Sequence, residues 1–179
     1  VRWGQLGRHN IQNALAAIAA ARHAGVPVAQ AVAALCEYRG VKRRMEVRGT
    51  VNGITVYDDF AHHPTAIATT LQGLRRRVGD ARILVLLEPR SNTMKMGVHR
   101  DTLAASLAGA DRVWLYEPED LGWSLADSLP ASDARLSVGR SVEGIVDEVS
   151  AMAAAGDHVL VMSNGGFGGI HEKLLTAVQ

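Results

Sequence analysis

Ile83-Leu84-Val85-Leu86-Leu87 is a run of five apolar residues, too short for a helix and lacking the alternation of a strand with one wet face. Such a strand is buried on both sides, which calls for a parallel sheet covered by helices. The flanking patterns agree. Upstream, Ile67, Leu71, Leu74 and Val78 recur at helical spacing. Downstream we expect a helix near Thr102 to Leu107, a strand from Val113 to Tyr116, a helix from Val142 to Met152, a strand from Val159 to Met162 and a last helix from about Ile170. Helices and strands alternate, and the fold class is α/β: a Rossmann-like three-layer domain with a mostly parallel sheet.

The first sixty residues read differently. Ile11, Leu15 and Ile18 predict a helix over about 10 to 24, ended by Gly25 as a left-handed C-terminal cap. Pro27 then opens a second helix on which Val28, Val32, Leu35 and Cys36 share one face, giving an N-terminal helical pair. After Gly40, Met45 and Val47 and then Ile54 and Val56 alternate with polar residues around Asn52-Gly53. That dipeptide predicts a type I′ turn and an antiparallel hairpin at one edge of the sheet. Glu117 to Ser137 is a long connection with little pattern.

Composition bounds the function. The chain has 179 residues, and 19 Lys+Arg against 18 Asp+Glu leave a formal net charge of +1. That balance argues against nucleic acid or a membrane surface as partner. With 47% hydrophobic residues the chain can bury a real core. The apolar stretch Ala14 to Ala21 is far below the roughly 20 residues of a membrane span. The single Cys36 allows no internal disulfide and reads as a small core residue rather than a nucleophile. Val1 in place of Met, with no leader pattern after it, leads us to expect a piece of a longer chain.

Three polar clusters follow strands, where open α/β sheets bind ligands. Asp58-Asp59-Phe60-Ala61-His62-His63-Pro64 sets two carboxylates and two imidazoles before a proline suited to open a helix, a place that favours a ribose, a phosphate or a carboxylate. A cap and surface histidines would be the plainer use of the same residues. The two imidazoles find no third metal ligand at a telling spacing. Glu88 to Gly97 is a polar loop in which Arg90 offers a planar fork for a carboxylate, although an ordinary solvated loop fits equally. Ser163 to Gly169 is glycine-rich but fails the dinucleotide fingerprint, since His171 stands where Gly or Ala is needed. An oxidoreductase domain is therefore disfavoured. None of the 18 glycines precedes a lysine, so a phosphate-cradling loop is absent and a triphosphate would be held largely elsewhere. Arg75-Arg76-Arg77 reads as a solvated face.

Three segments together, Gly7-Arg8-His9-Asn10-Ile11-Gln12-Asn13, Gly40-Val41-Lys42-Arg43-Arg44-Met45-Glu46 and Asp58 to Thr65, resemble the C-terminal domain of the Mur ligases. The order and spacing match along nearly the whole chain, with residues 1–8 as the end of a linker and residues 9–179 as the domain. The resemblance implies a cytoplasmic, ATP-dependent amide ligase of peptidoglycan synthesis, built with an N-terminal UDP-sugar domain and a central ATPase domain that mainly holds Mg²⁺ and the phosphates. Within the family, Glu88 to Gly97 and Met162 to His171 look like the murein-recycling member. Its acceptor is the tripeptide L-Ala-γ-D-Glu-meso-diaminopimelate and its donor UDP-N-acetylmuramate.

By the same resemblance, Asn10 and Asn13 contact adenine, and their spacing puts both amides on one helix face; Asn10 could also be the helix N-cap. Arg44 reaches the nucleotide and Asp59 accepts from the ribose. Phe60, His62, His63, Arg90, Asn92, Lys95, Ser163 and Asn164 meet the incoming peptide. The implied role is orientation, with no catalytic residue assigned in this domain and no metal. The alternatives are the alanine-adding ligase or another member of the family, and a non-catalytic Rossmann-like binding module.

Overall fold

The computed structural model describes residues 1–130 and 132–179. Two helices, α1 (Arg8–His23) and α2 (Val28–Glu37), precede the hairpin β1 (Glu46–Val51) and β2 (Ile54–Asp59). Then follow α3 (Pro64–Val78), β3 (Ile83–Leu87), the short α4 (Asn92–Lys95), α5 (Arg100–Ser106), β4 (Arg112–Tyr116), α6 (Leu125–Ser128) and β5 (Leu136–Gly139). The chain ends with α7 (Val142–Met152), β6 (His158–Met162), a 3-10 turn at Phe167–Gly169 and α8 (Ile170–Ala177).

The six strands lie in the order β1-β2-β6-β3-β4-β5. Among the described residues only the β1–β2 pair is antiparallel. Its turn has φ of 49° at Asn52 and 79° at Gly53, the left-handed values that a type I′ turn requires. Along β3, Ile83, Val85 and Leu87 face a core built with Ile67, Leu71 and Leu74 of α3 and Leu103 of α5. Leu84 and Leu86 face a second core with Ile145 and Val149 of α7 and Leu174 of α8. Burial on both faces is thus why this strand carries no polar residue.

Several sequence expectations are corrected. The first helix begins at Arg8, not Asn10, with Gly7 as N-cap; Asn10 sits inside the first turn and its amide donates to the Leu6 carbonyl at 2.6 Å. At the other end Gly25, with φ of 90°, does cap the helix: Val26 N–H reaches back to the Ala21 carbonyl. The face predicted to be apolar is not covered, since Ile11 and Leu15 are exposed and Ala14 is the buried residue of α1. In the helical pair Ala14 and Ala31 are buried, Ile18, Val32 and Leu35 are half-buried, and Ile11, Leu15 and Val28 are exposed. Cys36 is exposed, not core. The stretch from Glu117 to Ser137 contains α6 and the start of β5, and its Ala131 lies outside the described residues.

Two other regions are more ordered than expected. The polar loop after β3 forms α4, capped by Ser91 Oγ accepting from Met94 N–H. Arg75 is no free surface cation: it donates to the carbonyls of Gly79 and Ala81 and pairs with Asp111 at 2.5 Å.

Candidate functional site

Register puts the carboxyl ends of three neighbouring strands at one level. Asp59 of β2 pairs with Met162 of β6, which pairs with Leu87 of β3. The next residues, Phe60, Ser163 and Glu88, therefore leave the sheet side by side. Chain leaving β2 and β3 passes to the α3 and α5 face, whereas chain leaving β6 passes to the α8 face. Loops that part in this way open a crevice at the rim.

Asp58 and Asp59, read above as one cluster, serve opposite faces, because neighbours on a strand point apart. Asp59 is buried against α3: its carboxylate accepts from Met45 N–H and Ala61 N–H, each at 2.8 Å, and from Thr70 Oγ1 at 3.4 Å. Burial pushes its carboxyl above the ordinary range, against the opposing pull of those two N–H groups, of Arg44 and of Thr70. Asp58 faces α8, with His171 Nε2 at 3.4 Å and Arg43 Nε at 3.4 Å. Burial lowers the affinity of the His171 imidazole for a proton, and Asp58 pulls the other way.

A cavity of about 1250 Å³ opens between the helical pair and the sheet edge. Asn10 and Asn13 from α1, Arg44 from the segment before β1, and Asp59 from the end of β2 all line it. Four residues from three separate segments thus line one open cavity, large enough for a nucleoside. One wall is set by a close approach of backbones: Gly73 of α3 lies so near Gly7 that a Cβ there would stand 3.3 Å from the Gly7 N and Cα atoms.

The residues expected to meet a peptide divide into two groups. Phe60 stands at the rim with the Arg43 and Arg44 guanidinium carbons 5.4 and 5.3 Å from its ring centre, a cationic bracket on an aromatic face. Ser163 is buried and its hydroxyl donates to Glu88 while accepting from Gly165 N–H. Arg90 lies across Gly165, where a Cβ would stand 2.5 Å from Arg90 Cδ, and is 3.8 Å from Glu88. The side-chain amide oxygen Oδ1 of Asn164 is buried without a hydrogen-bond partner among the described residues. These residues gather at the crevice.

The others are engaged by local partners or exposed. His62 Nδ1 donates to the Phe60 carbonyl, 2.9 Å away, and the ring stands edge-on to Phe60. His63 caps α3, its Nδ1 accepting from Thr65 N–H, and packs against His99. Asn92 is exposed at the start of α4, and Lys95 is paired with Asp120. Among the described residues no group of three or more His, Cys, Asp or Glu side chains stands together as a metal site.

Arg43, next to the expected Arg44, is a site residue that sequence reasoning does not single out. Its Nη2 donates to the carbonyls of Ser163 and Gly165 at 2.6 and 2.7 Å, so it ties the segment before β1 to the loop after β6. The basic run Lys42-Arg43-Arg44 is visible, but a side chain reaching 120 residues along the chain leaves no local signal. Glu88 and His171 escape for the same reason.

Comparison with known proteins accords with this geometry. The family model for the Mur ligase glutamate ligase domain matches residues 43–165. The chain is 54% identical over 176 residues to the UDP-N-acetylmuramate–L-alanyl-γ-D-glutamyl-meso-2,6-diaminoheptandioate ligase of Escherichia coli K12, covering 98% of this chain and 38% of that protein. It is 53% identical to the protein of the same name from Haemophilus influenzae Rd, covering 100% of this chain and 40% of the relative. The crystal structure of a murein peptide ligase from Psychrobacter arcticus superposes with a TM-score of 0.78 at 50% identity, over 99% of this chain and 38% of that one. The chain therefore spans about two fifths of the length of these relatives. By fold and by sequence it belongs to the Mur ligase family, as its C-terminal domain.

Proposed function

We propose that this domain covers the adenosine of ATP and presents a peptide amine within a ligase that joins L-Ala-γ-D-Glu-meso-diaminopimelate to UDP-N-acetylmuramate. The observation that carries the reading is the convergence of Asn10, Asn13, Arg44 and Asp59 on one cavity. Amides suit an adenine edge, because each both donates and accepts. The Asp59 carboxylate suits ribose hydroxyls, and the Arg44 guanidinium suits the anionic side of the nucleotide. Phe60, Arg90, Ser163 and Asn164 lie along the neighbouring crevice, and the names of the relatives favour the tripeptide as acceptor.

In this reading the donor carboxylate takes the γ-phosphoryl group of ATP and ADP leaves. The alanyl amine then attacks the acyl carbon, phosphate leaves, the amine loses a proton and an amide forms. The domain contributes orientation: closing onto a central domain makes the amine's attack effectively intramolecular. Mg²⁺ and the phosphate-binding lysine belong to that central domain, and the working place is the cytoplasm. Among the described residues no helix is long and apolar enough to cross a membrane.

The test is ADP release by the full-length ligase. Release should require both the tripeptide and UDP-N-acetylmuramate, Asn13→Ala should raise the KM for ATP about fivefold with little change in kcat, and the isolated domain should show no turnover. Release driven by free L-alanine, or none with the tripeptide, would refute the assignment.

A further inference from the structure

Between β4 and α6 the chain runs back across α4, and its contacts fall on a few residues. Trp123 Nε1 donates to the Met94 carbonyl at 2.7 Å. Its indole also lies against Gly97, where a Cβ would stand 3.3 Å from Trp123 Cδ1, and Gly97 has a φ of 72°. Gly122 passes equally close to the Lys95 carbonyl, 3.3 Å from the position of its own Cβ. Asp120 pairs with the Lys95 ammonium. The crossing segment is itself anchored: buried Glu117 accepts from Leu125 N–H at 2.8 Å and from Arg140 at 2.7 Å, while Leu121 and Trp123 pack on the core.

A four-residue helix cannot hold its own shape, because nucleation costs more than one turn returns. The α4 segment has the Ser91 cap at its start. Met94 anchors it in the core from within, and Trp123, Gly122 and Asp120 hold it from outside. Resting on the function proposed above, we propose that Asp120 and Trp123 are positioning residues that hold the Arg90–Gly97 segment in the orientation that receives the acceptor's carboxylates. An ammonium has three donors, so Lys95 can keep Asp120 and still face a second carboxylate.

The experiment uses the full-length ligase with Trp123→Phe, which keeps the aromatic packing but removes the N–H, and with Asp120→Asn, rescued by Asp120→Glu. We expect Trp123→Phe and Asp120→Asn each to raise the KM for the tripeptide about fivefold and leave the KM for ATP within about twofold. Hydrogen exchange at the amides of residues 94–98 should quicken, and Asp120→Glu should recover most of the loss. An unchanged tripeptide KM in both variants, or an ATP KM that rises in step, would show that the crossing only packs. If the unsubstituted ligase released no ADP with the tripeptide, the function itself would fall and the positioning role with it.

Discussion

Replacing Gly73 by alanine should separate stability from nucleotide binding. Gly73 lies within α3, where alanine favours the helix by about 1 kcal/mol. The added Cβ would meet the Gly7 N and Cα atoms at 3.3 Å and Leu6 Cβ at 3.6 Å. Carbon contacts settle near 3.5–4.0 Å, so backbone must yield by roughly 0.2–0.5 Å. The part that yields is the entry to α1, because α3 is fixed by Ile67, Leu71 and Leu74 in the core. Asn10 is bonded to the Leu6 carbonyl at 2.6 Å and moves with it, and Asn13 rides on the same helix.

Helix gain and crowding offset each other, and the midpoint of thermal unfolding should stay within about 4 °C of the parent. Two amide contacts weakened together by about 1 kcal/mol would raise the KM for ATP roughly fivefold. Gln72→Ala, exposed on the same helix, is the control: it improves helix propensity without touching Gly7. The assays are thermal melting of the domain and ATP kinetics of the full ligase. A Gly73→Ala enzyme that is more stable by the full helix increment and binds ATP as the parent does would refute the coupling.

Two further outcomes are expected. His171 has its proton affinity lowered from the ordinary 6.5 by burial, so between the folded and unfolded values the unfolded chain binds more protons; its stabilising share is present above 6.5 and is lost as pH falls through the folded value. His171→Asn should therefore flatten the fall in melting temperature between about pH 7 and pH 5. Some slope should remain, because His158 is shifted in the same direction, by burial first and then by Arg77; equal slopes in variant and parent would count against the reasoning. Gly53→Ala forces a side chain onto a φ of 79° and within 3.0 Å of Ala155 Cβ, which should cost about 1–2 kcal/mol and lower the melting midpoint by about 3–8 °C. An unchanged midpoint would show that the turn adapts.

What can be read from the residues alone is whatever local chemistry decides. The run Ile83 to Leu87 could only be a strand wet on neither side, and Asn52-Gly53 could only turn tightly. The stripe Ile67, Leu71, Leu74 and Val78 lies on the core as expected, Val78 at its margin. Strand β5 stays hidden because its four residues are half-buried at the sheet border and lie between Arg135 and Arg140. The outward face of Ile11 and Leu15 is misassigned because periodicity reports that a face is apolar, not what covers it. At the site, the four cavity residues are legible through family resemblance. Residues whose partners lie far along the chain are not: Arg43 with Ser163, Glu88 with Ser163, and Asp120 with Lys95.

The opposite orientation of Asp58 and Asp59 constrains how this part of the chain can vary. Strand β2 is held on one side by β1 and on the other by β6. A single residue inserted or deleted upstream within it would reverse the parity of everything that follows. The carboxylate now beneath the cavity would swing to His171, and the one serving His171 would enter the cavity. Val56 and Tyr57 would exchange layers as well. Length changes in this strand are therefore admissible only in pairs, whereas the stretch joining α2 to β1 has no such parity to preserve.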